Sequence, residues 1–400
     1  MSTIAQNKQG LRVLMAGSVL QLFLGILYVW SVFVMPVSQI YAWDIAAVKL
    51  TSSFLLSFFV VGILIGGKLQ LVIGAHKVVL LGGMMLAAGM LTTAFLPLGL
   101  AWLMYATYGV IGGFGVGAAY NAIITAAQKW FPQNRGFATG VSICAFGFST
   151  VVFAPLIEAL IGAFGLKSTF IILAAAFFVV VAALFRFIRL PDYSGPLNAP
   201  AAALLAKRQY TLTETIKTKE FYFITLSLMF ATAAYFILNP SFKTLAAERG
   251  LGASIGTAVV MLTGVANALG RLGTPLLSDK IGREKAGIII ILTTALCSLL
   301  LCFVQGFAFM AAIALIAFCY GGYSGMYPVL TADYFGIKNV GSNYGAVMVG
   351  FALSALTFPM LIGLIGSITV KFIVLALLAA SGAVFITLLL KSKNKEAISG

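Results

Sequence analysis

An arginine at position 271 stands inside the apolar stretch ANALGRLGTPLL, and no acid follows it until Asp279. On one continuous helix, a rise of about 1.5 Å per residue puts Arg271 roughly 12 Å short of the charged patch Asp279–Lys285. A guanidinium is a planar fork that pairs with a carboxylate through two parallel hydrogen bonds. Asn267 lies one turn earlier on the same face. Its amide can orient the guanidinium or bond a hydroxyl or keto oxygen of a bound acid. This pair suits recognition of a small carboxylate.

Four tyrosines in apolar runs are further candidates: Tyr120 in GAAYNAI, Tyr320 and Tyr323 in FCYGGYSGMYP, and Tyr28 in GILYVWSVF. A phenol hydroxyl among hydrocarbon needs a partner, so each faces either a cavity or a neighbouring helix. Phe146 and Phe351 read as cavity wall. Cys144, Cys297, Cys302 and Cys319 show no metal-ligand spacing and read as small packing residues. The single histidine, His76, falls in a loop and reads as structural. No Cys, His or carboxylate cluster suggests an enzyme, a metal site or a cofactor. The glycine run GVIGGFGVG at 109–117 lacks the strand and solvated helix start of a nucleotide fingerprint; it reads as close helix packing, as does SICAFGFS at 142–149.

The elements that must position these residues follow from composition. The chain is 61% hydrophobic and 9% charged over 400 residues, with a mean hydropathy of +1.07. A soluble core cannot hide that much apolar surface, which leaves a polytopic membrane protein. Apolar runs of about 20 residues, enough to cross a bilayer as helices, fall near 12–36, 48–70, 78–98, 102–127, 136–163, 168–188, 221–239, 253–277, 286–305, 307–332, 341–365 and 369–390. The first lacks a cleavage site and reads as a retained helix. The net charge of +15 fits a topology better than nucleic-acid binding. With both termini cytoplasmic, the outer loops hold only Lys49, Lys167, Lys243, Arg249 and Lys371, as the positive-inside rule requires. By this topology none of the ten acids falls at the midplane, where Arg271 lies; Glu158 comes nearest, close to the outer face. A charge at that depth costs about 2.5–3.5 kcal/mol, and a bound carboxylate offsets it.

The polar segment 189–220, with Pro191, Pro196 and Pro200, divides the chain into a six-helix bundle at 1–188 and another at 221–400. The halves repeat in order: GGKLQLVIGAHK and TPLLSDKIGREK, NAIITAAQKWF and PVLTADYF, FAPLIEALIG and FPMLIGLIG. A parallel six-plus-six duplication with a basic central loop resembles the major facilitator superfamily. That family's loop motif, roughly G-x-L-x-D-x-x-G-x-R-K, is fuller in the second copy. The first has Leu71 in place of the acid and His76 in place of arginine. The resemblance implies gating roles for Asp279, Arg283 and Lys77.

KWFPQNRGFATG at 129–140, SDKIGR at 278–283 and ADYFGIKNVGSNYG at 332–345 narrow it to the oxalate/formate antiporter family, the microbial relatives of animal monocarboxylate transporters. In that resemblance Arg271 falls on a substrate-binding arginine and Tyr120 on a substrate-contacting tyrosine. Many animal members carry an aspartate linked with proton coupling where this chain has Asn267. Oxalate exchangers carry a lysine where this chain has Phe351. Two cations suit a dicarboxylate and one suits a monocarboxylate. The expectation is therefore a monomeric, multi-pass carrier of the bacterial inner membrane. It moves a lactate- or pyruvate-type monocarboxylate with a proton by alternating access and uses no cofactor. Obligate exchange of carboxylates is the alternative.

Overall fold

The computed structural model describes residues 3–191, 208–239, 242, 245, 248–251 and 253–399. Pro196 and Pro200 of the central segment, and Lys243 of the expected outer loops, lie outside the described residues. Among those described, the regular structure is helical throughout. In hydrocarbon every backbone N–H and C=O must be satisfied within the chain, and a helix does this without a partner.

Helix α1 (Thr3–Leu24) runs through a 3-10 turn at Gly25–Val29 into α2 (Trp30–Tyr41). Helices α3 (Ile45–Ile73) and α4 (Ala75–Ala94) follow. A π-helical turn at Tyr105–Gly112 leads into α5 (Gly113–Trp130). Helix α6 (Arg135–Leu184) turns at Gly165, where φ is 76°. Beyond the central segment come α7 (Lys219–Leu238), α8 (Ala253–Ile281), α9 (Arg283–Leu300), α10 (Gly306–Phe335), α11 (Val340–Gly363) and α12 (Ile368–Ser399). Nine helical stretches among the described residues are long and apolar enough to cross a membrane; one of them, Arg135–Phe187, is 53 residues long and contains the turn at Gly165. Helices α8 and α9, which flank the charged turn at 279–285, are not among the nine.

The repeat read in the sequence has a counterpart in geometry. Helices α3 and α8 are both 29 residues long. Each ends on a glycine in the left-handed region, Gly74 at φ 87° and Gly282 at φ 96°, a conformation that costs glycine nothing. Helix α3 packs chiefly on α5, and α8 on α10. Both crossings are close. A β-carbon on Gly117 would run into the Phe59 carbonyl, and one on Gly321 into the Asn267 carbonyl. Gly321→Ala is therefore expected to push α10 off α8 at the level of Asn267. Overpacking of this kind costs about 1–3 kcal/mol, read as a lower unfolding midpoint in detergent.

Two compact units share the chain. The first holds Met1–Gln133, Phe148–Gln209 and Gly336–Gly345; the second holds Asn134–Gly147, Tyr210–Phe335 and Ala346–Gly400. Each unit thus includes a short segment from the other half of the sequence.

Candidate functional site

Arg271 lies within the second unit, at the middle of α8, and is 1% exposed. Its Nε donates to Asn267 Oδ1 at 2.8 Å. Asn267 Nδ2 in turn donates to the Tyr235 hydroxyl at 3.4 Å. The amide is therefore oriented by a tyrosine on α7, and the guanidinium plane by the amide. The Tyr235 ring stacks on Tyr320 of α10, with centroids 3.8 Å apart and planes 9° apart. Phe351 of α11 and Phe236 of α7 extend this aromatic wall: the two meet edge-on at 4.9 Å, and both contact the Tyr320 ring. The Phe146 ring, from the first turns of α6, lies 5.7 Å from the Arg271 Cζ. A ring face at that distance attracts a cation. Gly147 follows it against the Arg271 side chain, where a β-carbon would press on Cδ and Nε.

The structure thus gathers Arg271, Asn267, Tyr320 and Phe351 into one group. Tyr323 is on the same helix as Tyr320 but joins a different contact. Its hydroxyl donates to the Ile290 carbonyl at 3.1 Å and lies 2.5 Å from Thr294 Oγ1, so it fastens α10 to α9. Tyr28 and Tyr120 belong to the first unit. Tyr28 is half-buried in the 3-10 turn. Tyr120 is buried, edge-on to Phe59 at 5.2 Å, and its carbonyl accepts from Gln21. Sequence reasoning missed Tyr235 and Phe236. The signal was present in ATAAYFIL: Tyr235 is a phenol in an apolar run, the same criterion that selected Tyr120.

The charged end of the second unit is an ion-pair network. Arg283 pairs with Asp279 and donates from Nε to Asp333 Oδ2 at 2.9 Å. Its Nη1 donates to Ser278 Oγ at 2.6 Å. Asp333 also pairs with Arg135 at the start of α6, and the Phe137 backbone N–H donates to Asp279 Oδ2 at 3.2 Å. The resemblance gave Asp279 and Arg283 gating roles; the structure places both in this network with Arg135 and Asp333. Lys77 is exposed and belongs to the first unit. Near this end, Glu284 precedes the span that starts near 286. Burial alone would push its carboxyl up, but hydrogen bonds from Lys393 and Tyr334 outweigh burial and hold it below the usual carboxylate range.

Comparison with known proteins agrees with this architecture. The chain is 26% identical over 326 residues to the oxalate:formate antiporter of Oxalobacter formigenes, covering 80% of this chain and 76% of that one. It is 28% identical over 367 residues to the apicoplast pyruvate carrier 1 of Toxoplasma gondii, covering 75% of this chain and 66% of that one. The solved proton:xylose symporter XylE, bound to 6-bromo-6-deoxy-D-glucose, superposes with a TM-score of 0.71 over 95% of this chain and 96% of its own, at 15% identity, which speaks to the fold alone. The Major Facilitator Superfamily model matches residues 15–326 and 224–399. With paired 29-residue helices that each end on a left-handed glycine, and a family match running from residue 15 to residue 399, this multi-pass membrane protein belongs to the major facilitator superfamily.

Proposed function

We propose that this protein is a secondary carrier of a short monocarboxylate, of the lactate or pyruvate type, which it moves together with a proton by alternating access. The observation that carries the reading is the buried Arg271 guanidinium, held in plane by Asn267 beside an aromatic wall that has phenylalanine at position 351. A guanidinium with a fixed plane binds a carboxylate bidentately and resists a misaligned one. The wall of Tyr235, Tyr320, Phe236 and Phe351 accommodates a short apolar tail and adds no second cation for a second carboxylate. Similarity to a pyruvate carrier and to an oxalate:formate antiporter supports a carboxylate as cargo. In this reading the chain crosses the bacterial inner membrane twelve times as a monomer, with both termini in the cytoplasm. The anion neutralises Arg271 and so lowers the cost of closing the site around it. A proton carried with the anion keeps the step electroneutral.

The test is radiolabelled L-lactate uptake into proteoliposomes, with and without an inward proton gradient. Uptake driven by the gradient is the expected result. If lactate and the gradient have no effect while preloaded oxalate or formate exchanges, the protein is an obligate exchanger and the proposal fails. The similarity to the oxalate:formate antiporter makes that the leading rival. Phe351→Lys is expected to move the wild-type carrier towards dicarboxylates: lactate uptake falls roughly tenfold, the effect of about 1.4 kcal/mol, and oxalate begins to compete with the remainder in a counterflow assay.

A further inference from the structure

The segment exchanged into the second unit and the one exchanged into the first are held by different chemistry. In the second unit, Asn134–Gly147 is held by carboxylates: Asp333 on Arg135 and Asp279 on the Phe137 N–H. In the first unit, the position that matches Asp279 in the repeated loop is Leu71, which is 47% exposed. Gly336–Gly345 is held there through its main chain. Asn121, 1% exposed on α5, donates from Nδ2 to two main-chain carbonyls, Ile63 of α3 at 2.7 Å and Gly341 of α11 at 2.8 Å. Lys129 Nζ donates to the Lys338 carbonyl at 3.2 Å, and Gln209 Oε1 accepts from the Lys338 N–H at 2.9 Å. Gly67 and Gly341 meet backbone to backbone: a β-carbon on Gly67 would run into the Gly341 carbonyl.

We propose that Asn121 is the clasp of the first unit. A neutral amide there takes over the holding role that a carboxylate plays in the second unit, and Gly336–Gly345 must leave it each time this end opens during transport. The inference rests on the transporter reading but not on the identity of the cargo. Because the clasp bonds main-chain carbonyls, its strength is independent of salt and of pH, unlike that of the ionic network.

The test is the rate at which a membrane-impermeant maleimide labels Ser342→Cys in purified protein without substrate, with the four native cysteines replaced by alanine. Ser342 is 3% exposed, so labelling reports release of the segment. Asn121→Ala removes both donors and is expected to raise the rate about tenfold, as the loss of one to two neutral hydrogen bonds implies. Asn121→Asp keeps the shape and replaces the donors with a carboxyl, which donates only when protonated. Its labelling, relative to the Ser342→Cys parent at each pH, is expected to fall as pH is lowered. Lys129, whose Nζ bonds the Lys338 carbonyl in the same segment, is present in parent and variant alike, so the ratio to the parent removes its contribution. A packing role alone would not produce this pH profile. If both variants label at the parent rate at every pH, Asn121 is not a clasp. Because no substrate is present, this outcome is separable from failure of the monocarboxylate reading.

Discussion

Arg271→Lys is expected to lower lactate uptake 10- to 100-fold while leaving the fold intact. Lysine keeps the charge but not the fork, and it has no nitrogen at the Nε position to reach Asn267 Oδ1 across the present 2.8 Å. Hydrogen bonds to a charged group are worth about 1.5–3 kcal/mol each, and one bond of the bidentate pair is lost along with the alignment of the other. The same change removes the donor to Asn267 Oδ1, which loosens the amide and its link to Tyr235. Equilibrium exchange of labelled lactate, beside an unfolding midpoint in detergent, separates loss of binding from loss of fold. Exchange within twofold of wild type, with an unchanged midpoint, would show that Arg271 does not anchor the anion. Arg271→Ala is expected to abolish exchange.

Asp333→Asn carries the largest expected effect on stability. One carboxylate lies between two guanidiniums, Arg135 and Arg283, and making it neutral leaves two like charges facing an amide. Removing one member of a buried pair costs about 3–5 kcal/mol. Asp333 is 22% exposed at its side chain, so solvent screens part of this, and about 2–3 kcal/mol is expected. The Arg135→Gln, Asp333→Asn double variant should lose less than the sum of the singles, because it removes the charge that the single variant strands. Strict additivity in the unfolding midpoints would mean that the two residues do not interact in solution.

What the sequence disclosed depended on how rare a residue is in its surroundings. Arg271 was conspicuous because a cation in an apolar helix is costly, and its pairing with Asn267 followed from the helical period alone. Helix placement was legible for the same reason: nothing but helices suits apolar runs of that length. Contacts between helices were not. Tyr320 and Tyr323 look equivalent in FCYGGYSGMYP, yet one stacks on Tyr235 and the other bonds Ile290, and only the register of α10 against α7 and α9 separates them. Arg135 and Asp333 were visible as motif residues, but their pairing joins distant parts of the chain and leaves no local trace. Asn121 was passed over because an amide beside the more conspicuous Tyr120 carries no sign that both of its donors serve backbone carbonyls.

The exchanged segments also set an order of events during synthesis. Asn121 and the Gly341 carbonyl it bonds are 220 residues apart, and the Phe137 N–H and Asp279 are 142 apart. At about 5–20 residues per second, Asn121 emerges from the ribosome roughly 10–40 s before its partner. During that interval Asn121 lacks the Gly341 acceptor, and Arg135 waits for a carboxylate that has not been made. The nascent first half therefore carries two unfilled docking positions, one for a helix start and one for an anion. Both stay unfilled until the second half has been made.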